Sequence, residues 1–593
     1  MVKRTIQFSI VIILIAFFAG FSLADTINVP GDYGTIQEAI NNASSGDVID
    51  VAAGLYAPTS TINVTVDNLT IKGPQADVDP RPSFGSSRTA GSVNEAIVDG
   101  GANGLGRIFY IDAENVVLNG LEIKSGSSDM VRQSNSHSGT TVKYCIIHNG
   151  LGDEGVQLKQ CTNGLMEYNY VFDIAWAGDG LNFASSDHCT IQHNEITDVS
   201  SDNAAIYVYG SEHITIQNNL VYNLPVGEGI KLGTKSGGDA HLTGGTIKDN
   251  VVHDVGGSNN DDCIAVYTSH VVVDGNECYN NTSENGTIYL SFDITDIQII
   301  NNKVHDNNLV TSKRATAAGI LLYSNVDAAN VVINNNDIYN NSPYGVTNEA
   351  PAPVDATNNW WGHITGPLDN SDDSPQPYYC YNPAGQGDAV TDNVMYFPWL
   401  DGPGGSPFGP VKNLNTGEVF LTIQAGIDDS DTQDGHTLQA SAGTYTENVN
   451  ITKSLTIQGE PGAILDGTGI GGNGFLIHAS NIKITGFEIK NFDNGIRTYG
   501  GPSNFGNLEI VENNIHDNIS TGIVLLYDTF ADVTIENNQI DNTTGGNGIG
   551  IANSTTINGQ LLIKNTTITN SNDHALYFNG ATVDEFLSQN SNY

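Results

Sequence analysis

Three stretches share one frame: Ile191-Gln-His-Asn194-Glu-Ile196, Ile216-Gln-Asn-Asn219-Leu-Val221 and Ile247-Lys-Asp-Asn250-Val-Val252. Each has an apolar residue, two variable residues, an asparagine, one variable residue and a second apolar residue. Asparagines recur in this frame at Asn169, Asn194, Asn219, Asn250, Asn276, Asn302 and Asn336, with gaps of 25, 25, 31, 26, 26 and 34 residues. A period of this size marks a solenoid, in which each repeat buries its apolar face against its neighbours. Leucine-rich repeats also carry a fixed asparagine, but they demand leucine at several offsets, and this chain offers isoleucine and valine instead. Each repeat holds two or three short β-type runs, such as Thr190-Ile-Gln, Glu195-Ile-Thr and Ala205-Ile-Tyr-Val-Tyr209. No apolar run has helical length and period. The expected fold is therefore all-β, a right-handed parallel β-helix solenoid. Its coils would stack like residues about 4.8 Å apart, so the asparagines would form a hydrogen-bonded ladder. Asparagine also tolerates the left-handed backbone of a tight bend.

With this repeat the chain resembles the extracellular right-handed parallel β-helix proteins of the pectin-lyase-like superfamily. The resemblance covers most of the mature chain and implies the fold. It does not imply one activity, because that scaffold carries lyases, hydrolases, esterases, epimerases, adhesins and inert surface proteins.

Residues 1–24 read as a signal peptide: Lys3 and Arg4, the apolar stretch Ile10–Phe18, then Ser22-Leu-Ala24 before Asp25. No later segment is apolar enough to span a bilayer, and the expected location is secreted or cell surface. The mature chain carries its own opening twice. Thr35-Ile-Gln-Glu-Ala-Ile40, Ala53-Gly-Leu-Tyr56 and Leu69-Thr-Ile-Lys-Gly73 recur as Leu421-Thr-Ile-Gln-Ala-Gly-Ile427, Ala442-Gly-Thr-Tyr445 and Leu455-Thr-Ile-Gln-Gly459. Two tandem β-helices follow, each with a short N-terminal helix that caps the open end of the solenoid. The first is expected over residues 25–362. A closing segment and linker occupy 363–410, rich in Pro, Gly and Asp, and the shorter second β-helix runs over 411–593, with Asn513 and Asn538 on its ladder. Asn358-Asn-Trp-Trp-Gly362 and Phe397-Pro-Trp-Leu400 resemble a segment that closes many secreted β-helix domains, and their tryptophans read as a hydrophobic lid. Without that motif after it, the second copy is either capped differently or a piece of a longer array.

Acidic residues outnumber basic ones 66 to 22, for a net charge of −44. That field opposes nucleic acid and anionic membranes, and it repels an acidic polysaccharide unless cations bridge the two. The six cysteines (Cys145, Cys161, Cys189, Cys263, Cys278 and Cys380) read equally as buried thiols or as disulfides of an exported chain. Histidines at strand ends (His148, His253, His305 and His516) read as turn-flanking surface residues.

One strand face offers a candidate site. Aligned on inward pairs such as Leu181/Phe183, Ile206/Val208 and Ile230/Leu232, alternation points Gln157, Lys159, Asn182, Tyr207, Tyr209, Lys231, Tyr267, Tyr289 and Tyr323 outward. Asp153 and Glu154, Asp179, Asp202, Glu228, and Asp261 and Asp262 precede these strands. Tyrosine rings stack on pyranose faces while carboxylates and amides take hydroxyls, so Tyr207, Tyr209, Tyr267, Tyr289, Asn182 and Trp176 are the expected binding residues for a polysaccharide or surface glycan. The same residues also suit a plain exposed strand face. Stacked carboxylates force either a shared proton or a calcium site of oxygen ligands, with Asp153, Asp261 and Asp262 as candidate ligands. For uronide β-elimination Lys231 beside Glu228 is the candidate base; for glycoside hydrolysis two opposed carboxylates point to Asp179 with Glu154 or Asp202. No pectin methylesterase, polygalacturonase or pectate lyase motif is present, so the chain reads as a polysaccharide-binding protein with a possible lyase or hydrolase activity. The alternative is a non-catalytic structural or adhesive surface protein.

Overall fold

The computed structural model describes residues 24–175, 178–233, 244–256, 262–310, 314–370, 382, 385–416, 418–498, 505–541 and 543–593, with the side chains of 201 and 202 also left out. Trp176, Asp261 and Cys380 lie outside these residues. The chain divides into two compact units, one reaching Tyr396 and including Gly402–Gly404, the other comprising Phe397–Asp401 and Gly405–Tyr593.

The first unit is a parallel β-helix. A 14-stranded sheet runs from Thr26–Val29 through Val48–Val51, Thr70–Lys72 and so on to Val394–Met395. A 21-stranded sheet holds the other two faces as two series of strands, joined where Glu195–Tyr209 passes unbroken from one to the other. Register is constant from coil to coil: Ile191 faces Ile216 and Leu181 faces Ile206, so each apolar column stacks on itself. Those columns are fully buried at Ile191, Ile216, Ile247, Phe183 and Val208. Sequence period and core position therefore coincide.

The Thr35 hydroxyl accepts from the Glu38 amide at 3.1 Å and the Glu38 carboxylate accepts from the Thr35 amide at 3.1 Å, a reciprocal cap that starts the helix Ile36–Asn42. Ile36, Ala39 and Ile40 are buried beneath it. In the second unit Thr422 accepts from the Ala425 amide at 3.0 Å and starts Ile423–Asp428, over a 10-stranded sheet and two of 6 strands each. This unit has its own core, including Phe475, Phe487, Phe492 and Ile510. Among the described residues no helix is long and apolar enough to cross a membrane.

The asparagine ladder is present and longer than its frame implies. Asn169 Nδ2 donates to Asn194 Oδ1 at 3.0 Å, Asn194 to Asn219 at 3.0 Å, and so on to Asn336, which donates to Asn359 at 3.0 Å. Each oxygen also accepts the preceding coil's amide, as from the Asn194 backbone to Asn219 at 3.0 Å. The side chains mimic one more peptide group per coil and leave no buried donor unmet. The left-handed backbone falls one residue earlier than expected, on Tyr168, His193, Asn218 and Asp249 with φ of 53°, 54°, 55° and 52°. A second ladder, Asn281–Asn307–Asn341, ends on Asp388, which accepts from Asn341 Nδ2 at 2.7 Å. Burial raises the Asp388 carboxyl to about 6. Trp361 is fully buried against Tyr396, at 6.4 Å between ring centroids.

The strand-end histidines are more than turn-flanking residues. Tyr222, His253, Tyr279, His305 and Tyr339 form one continuous ring stack, at 5.3, 4.7, 5.4 and 4.8 Å between successive centroids. His148 is buried, 3.0 Å from the Glu122 carboxylate. The five described cysteines are buried and unpaired by disulfides.

Candidate functional site

The strand series Phe109–Ile111, Val131–Gln133, Val156–Lys159, Leu181–Ala184, the end of Glu195–Tyr209, Val226–Leu232 and Ile264–Val266 carries the predicted face. Its middle outward column is Tyr110, Arg132, Gln157, Asn182, Tyr207, Lys231 and Ala265 in strict register. Two residues before the first inward residue of each coil (Val131, Val156, Leu181, Ile206, Ile230 and Ile264) stands a second column: Asp129, Glu154, Asp179, Ala204, Glu228 and Asp262. Backbone bonds from Met130 to Glu154, Gly155 to Asp179 and Gly229 to Asp262 hold these coils in step.

Four of the five carboxylates meet a donor three residues on, from the outward column. Arg132 donates to Asp129 at 2.8 Å, Gln157 to Glu154 at 2.8 Å and Asn182 to Asp179 at 2.9 Å, while Lys231 Nζ lies 3.3 Å from Glu228. Asp262 instead accepts from the Gly286 amide and Asn285, both at 3.4 Å.

Asp129 and Glu154 behave as a pair. Burial pushes Glu154 up, with the Asp129 hydrogen bond and the Asp179 charge adding to it, to about 9. Burial opposes ionisation of Asp129 as well, but the Glu154 proton and the Arg132 and Arg107 guanidiniums hold it below the usual carboxylate value. Glu154 is therefore the protonated member at neutral pH and Asp129 the anion. Relative to a free Glu at 4.5, the folded protein keeps a proton the unfolded chain has lost, so this pair's contribution to stability falls as pH rises towards 9. Glu154→Gln, which keeps a donor for Asp129, is expected to flatten the decline of melting temperature between pH 5 and 9. An unchanged slope would place the proton elsewhere.

Asp153 joins this pair, the three residues offering oxygens within 4.8 Å of one another. Calcium prefers six to eight oxygens, and here Asp129 already takes Arg107 and Arg132 while Glu154 keeps a proton. Asp262 is buried apart from that group.

The outward set is not an open strip along its whole length. Tyr267 and Tyr289 are buried and form a second apolar cluster with Ala265, Ala318 and Leu321, packed by Phe292, Tyr323 and Tyr344. Burial drives the Tyr267 phenol far above its usual value. Both rings, expected to face a sugar, are covered by these side chains. Gln157 and Asn182 are buried too. Lys231, the expected base, is 1% exposed, with Nζ 4.8 Å from the Tyr207 ring centroid and 6.0 Å from that of Tyr267. An ammonium held between two rings and a carboxylate is closed off from a substrate backbone. Glu228 and Asp179 are buried as well.

What stays accessible is the part around Arg107, Tyr110, Arg132, Lys159, Tyr207 and Tyr209, all partly exposed. The Tyr207 and Tyr209 rings lie 4.9 Å apart. Next to Arg132 an open hollow of about 450 Å³ is lined by Thr61, Asn63, Arg107, Tyr110, Arg132 and Ser134. Arg107, Tyr110, Asp129 and Arg132 escaped the sequence reading, although the alternation that selected Gln157 and Asn182 extends to Arg132 and Tyr110.

A family profile described as "Right handed beta helix region" matches residues 52–237 and 179–360, together more than half of the chain. The chain belongs to the right-handed β-helix family. Within this β-helix protein, a second profile, "Periplasmic copper-binding protein (NosD)", matches residues 427–591. That span has no Cys or Met, and among the described residues none of its histidines joins a group of three metal-ligand side chains. A cell surface glycoprotein of Methanothermus fervidus is 42% identical over 86 residues, 14% of this chain and 14% of that protein. Among solved structures, the A-module of a mannuronan C-5 epimerase from Azotobacter vinelandii is 16% identical, covering 61% of this chain and 95% of that one, with a TM-score of 0.38. An alginate lyase from Paenibacillus sp. is 16% identical over 51% and 99%, TM-score 0.36. A DFA-IIIase from Arthrobacter chlorophenolicus without its lid is 12% identical over 57% and 94%, TM-score 0.40. Likeness at this level reflects the shared coil and carries no activity across.

Proposed function

We propose that this β-helix protein acts outside the cell and binds an acidic polysaccharide along the outward face between Arg107 and Tyr209. The observation that carries this is the pair of guanidiniums, Arg107 at 3.0 Å and Arg132 at 2.8 Å from one buried Asp129 oxygen, bordering an open hollow in a protein of net charge −44. Asp129 fixes both cations in place, and a uronate carboxylate is the ligand that planar guanidinium donors bind best. Tyr207 lies three coils from Arg132, about 14 Å at about 4.8 Å per coil, so its ring and that of Tyr209 would stack on a sugar further along the same chain. The anion-selective hollow answers the repulsion that the acidic surface otherwise imposes on such a glycan. Retention by this face needs no calcium, because Asp129 and Glu154 are neutralised by arginine and by a proton.

Cleavage is a finer matter. Glu154, protonated at neutral pH, is the group suited to general-acid work, whereas Lys231 supports the face from beneath. The match to a cell surface glycoprotein favours the second reading, a purely structural or adhesive coat protein.

Affinity electrophoresis against polyuronates and neutral glycans, with calcium and then chelator, separates these. Retardation by polyuronates in both conditions is expected, with Arg132→Ala abolishing it and Tyr207→Ala/Tyr209→Ala weakening it about tenfold to a hundredfold, from about 1–3 kcal/mol for two rings. No retardation by any glycan would remove the binding reading and leave the structural one. Appearance of unsaturated uronides or reducing ends would make the protein an enzyme.

A further inference from the structure

Away from this face, at the turn that leads out of the same strand series, two successive coils place histidines at a position that also carries asparagine, glycine, His270 and Asp296 in other coils. The position runs Asn68, Asn115, Gly139, Asn163, His188, His213 from coil to coil, as the backbone bonds Asn115 to Ser138, Gly139 to Thr162, Asn163 to Asp187 and His188 to Glu212 align it. Every member has left-handed backbone, His188 and His213 both at φ 52°. Histidine, like asparagine and aspartate, is among the residues that adopt that conformation readily. What sets His188 and His213 apart is that they fill the position in two successive coils, whereas Gly244 separates them from His270.

Their placement is specific. The imidazoles stack with centroids 4.4 Å apart. Both Nδ1 atoms converge on one oxygen, Asp187 Oδ1, at 2.8 Å from His188 and 2.9 Å from His213. Asp187 is itself held by parallel bridges to Thr162 and Glu212 in the flanking coils. All three side chains are about half exposed, which leaves room for water to complete a coordination shell.

We propose that Asp187, His188 and His213 form a binding site for a divalent transition-metal ion of the zinc–copper class. Two imidazole nitrogens and a carboxylate oxygen are the ligand types this class selects. The nitrogen–oxygen separations of 2.8 and 2.9 Å are close to the cis edges, about 2.8–3.1 Å, of an octahedral or tetragonal shell with metal–ligand bonds of about 2.0–2.2 Å. The metal takes the place of the two N–H protons aimed at Asp187, and these move to Nε2. The negative field of the whole chain concentrates the cation. The site lies in the first unit, outside residues 427–591, so it owes nothing to the copper-binding profile matched there.

Full-length protein stripped with chelator is titrated with Zn²⁺ by calorimetry and, separately, loaded with one equivalent of Cu²⁺ for electron paramagnetic resonance. One site per chain is expected, with nitrogen hyperfine structure from two imidazoles. His188→Asn/His213→Asn, which restores the residue found at Asn163, is expected to keep the fold and to weaken Zn²⁺ at least tenfold. His270→Asn, at a histidine that pairs singly with Asp296 at 2.7 Å, leaves the site intact. A Zn²⁺ isotherm unchanged in the double variant, or no site in the native protein, overturns the proposal. Should the double variant misfold, His213→Ala decides: two coupled nitrogens must fall to one.

Discussion

Asn219→Ala is expected to destabilise the first β-helix by about 3–5 kcal/mol, a large loss for one surface-to-core polar position. Asn219 Oδ1 accepts from the Asn194 backbone amide and from Asn194 Nδ2, each at 3.0 Å, while its own Nδ2 donates to the Ile191 carbonyl at 3.0 Å and to Asn250 Oδ1 at 2.9 Å. Truncation leaves an amide N–H and a carbonyl buried without partners, at about 1–3 kcal/mol each, and a void at a position that is 2% exposed. It also cuts the ladder in two, and in a solenoid stability is a sum of coil terms and coil–coil contacts. Urea unfolding followed by circular dichroism, with the native protein alongside, measures the shift. Asn219→Asp sharpens the test: its carboxylate accepts as before but donates nothing, so it too should destabilise at neutral pH and recover as acid restores a donor. A loss below about 1 kcal/mol for the alanine variant would mean that water replaces the amide and that the ladder is ornamental.

The ladder was legible because its information is local and repeated: one frame, seven times, with apolar residues on both sides. The capping helices were legible for the same reason, since Thr35 and Thr422 head two copies of one segment. The second ladder was not. It spans only Asn281, Asn307 and Asn341 before it ends on Asp388, 47 residues further on, and no frame marks an aspartate standing in for asparagine. Strand alternation correctly put Tyr207, Lys231 and Tyr289 on the outer side of the wall. Alternation fixes a side and says nothing of what packs over it, and here Phe292, Tyr323 and Tyr344 lie against Tyr267 and Tyr289. An outward tyrosine thus became a core residue through tertiary contacts that no spacing encodes. Asp129 went unread because one carboxylate before Met130 resembles any turn aspartate. Its meaning comes from Arg107, a coil earlier, and from the Glu154 proton, a coil later.

Lys231→Met is expected to cost about 3–5 kcal/mol, the range for removing one partner of a buried ion pair. Both members are 1% exposed, so Glu228 would lose the ammonium 3.3 Å away in a low-dielectric setting, where Asp262 of the next coil is buried as well. Methionine fills nearly the same volume, so the loss reports charge and not a cavity. Glu228→Gln leaves the ammonium between the Tyr207 and Tyr267 rings and should cost less, because a ring face is itself a partner for a cation. The double variant Lys231→Met/Glu228→Gln should recover most of the loss, and the double-mutant cycle gives the coupling directly. Additive losses would show that the two charges are held independently. Lys231→Met also separates support from chemistry. If Lys231 only props the Tyr207 ring, polyuronate retention falls in step with stability and is restored in the stabilised double variant. A catalytic base would be missed in both, whatever the stability, and any uronide release would vanish with it.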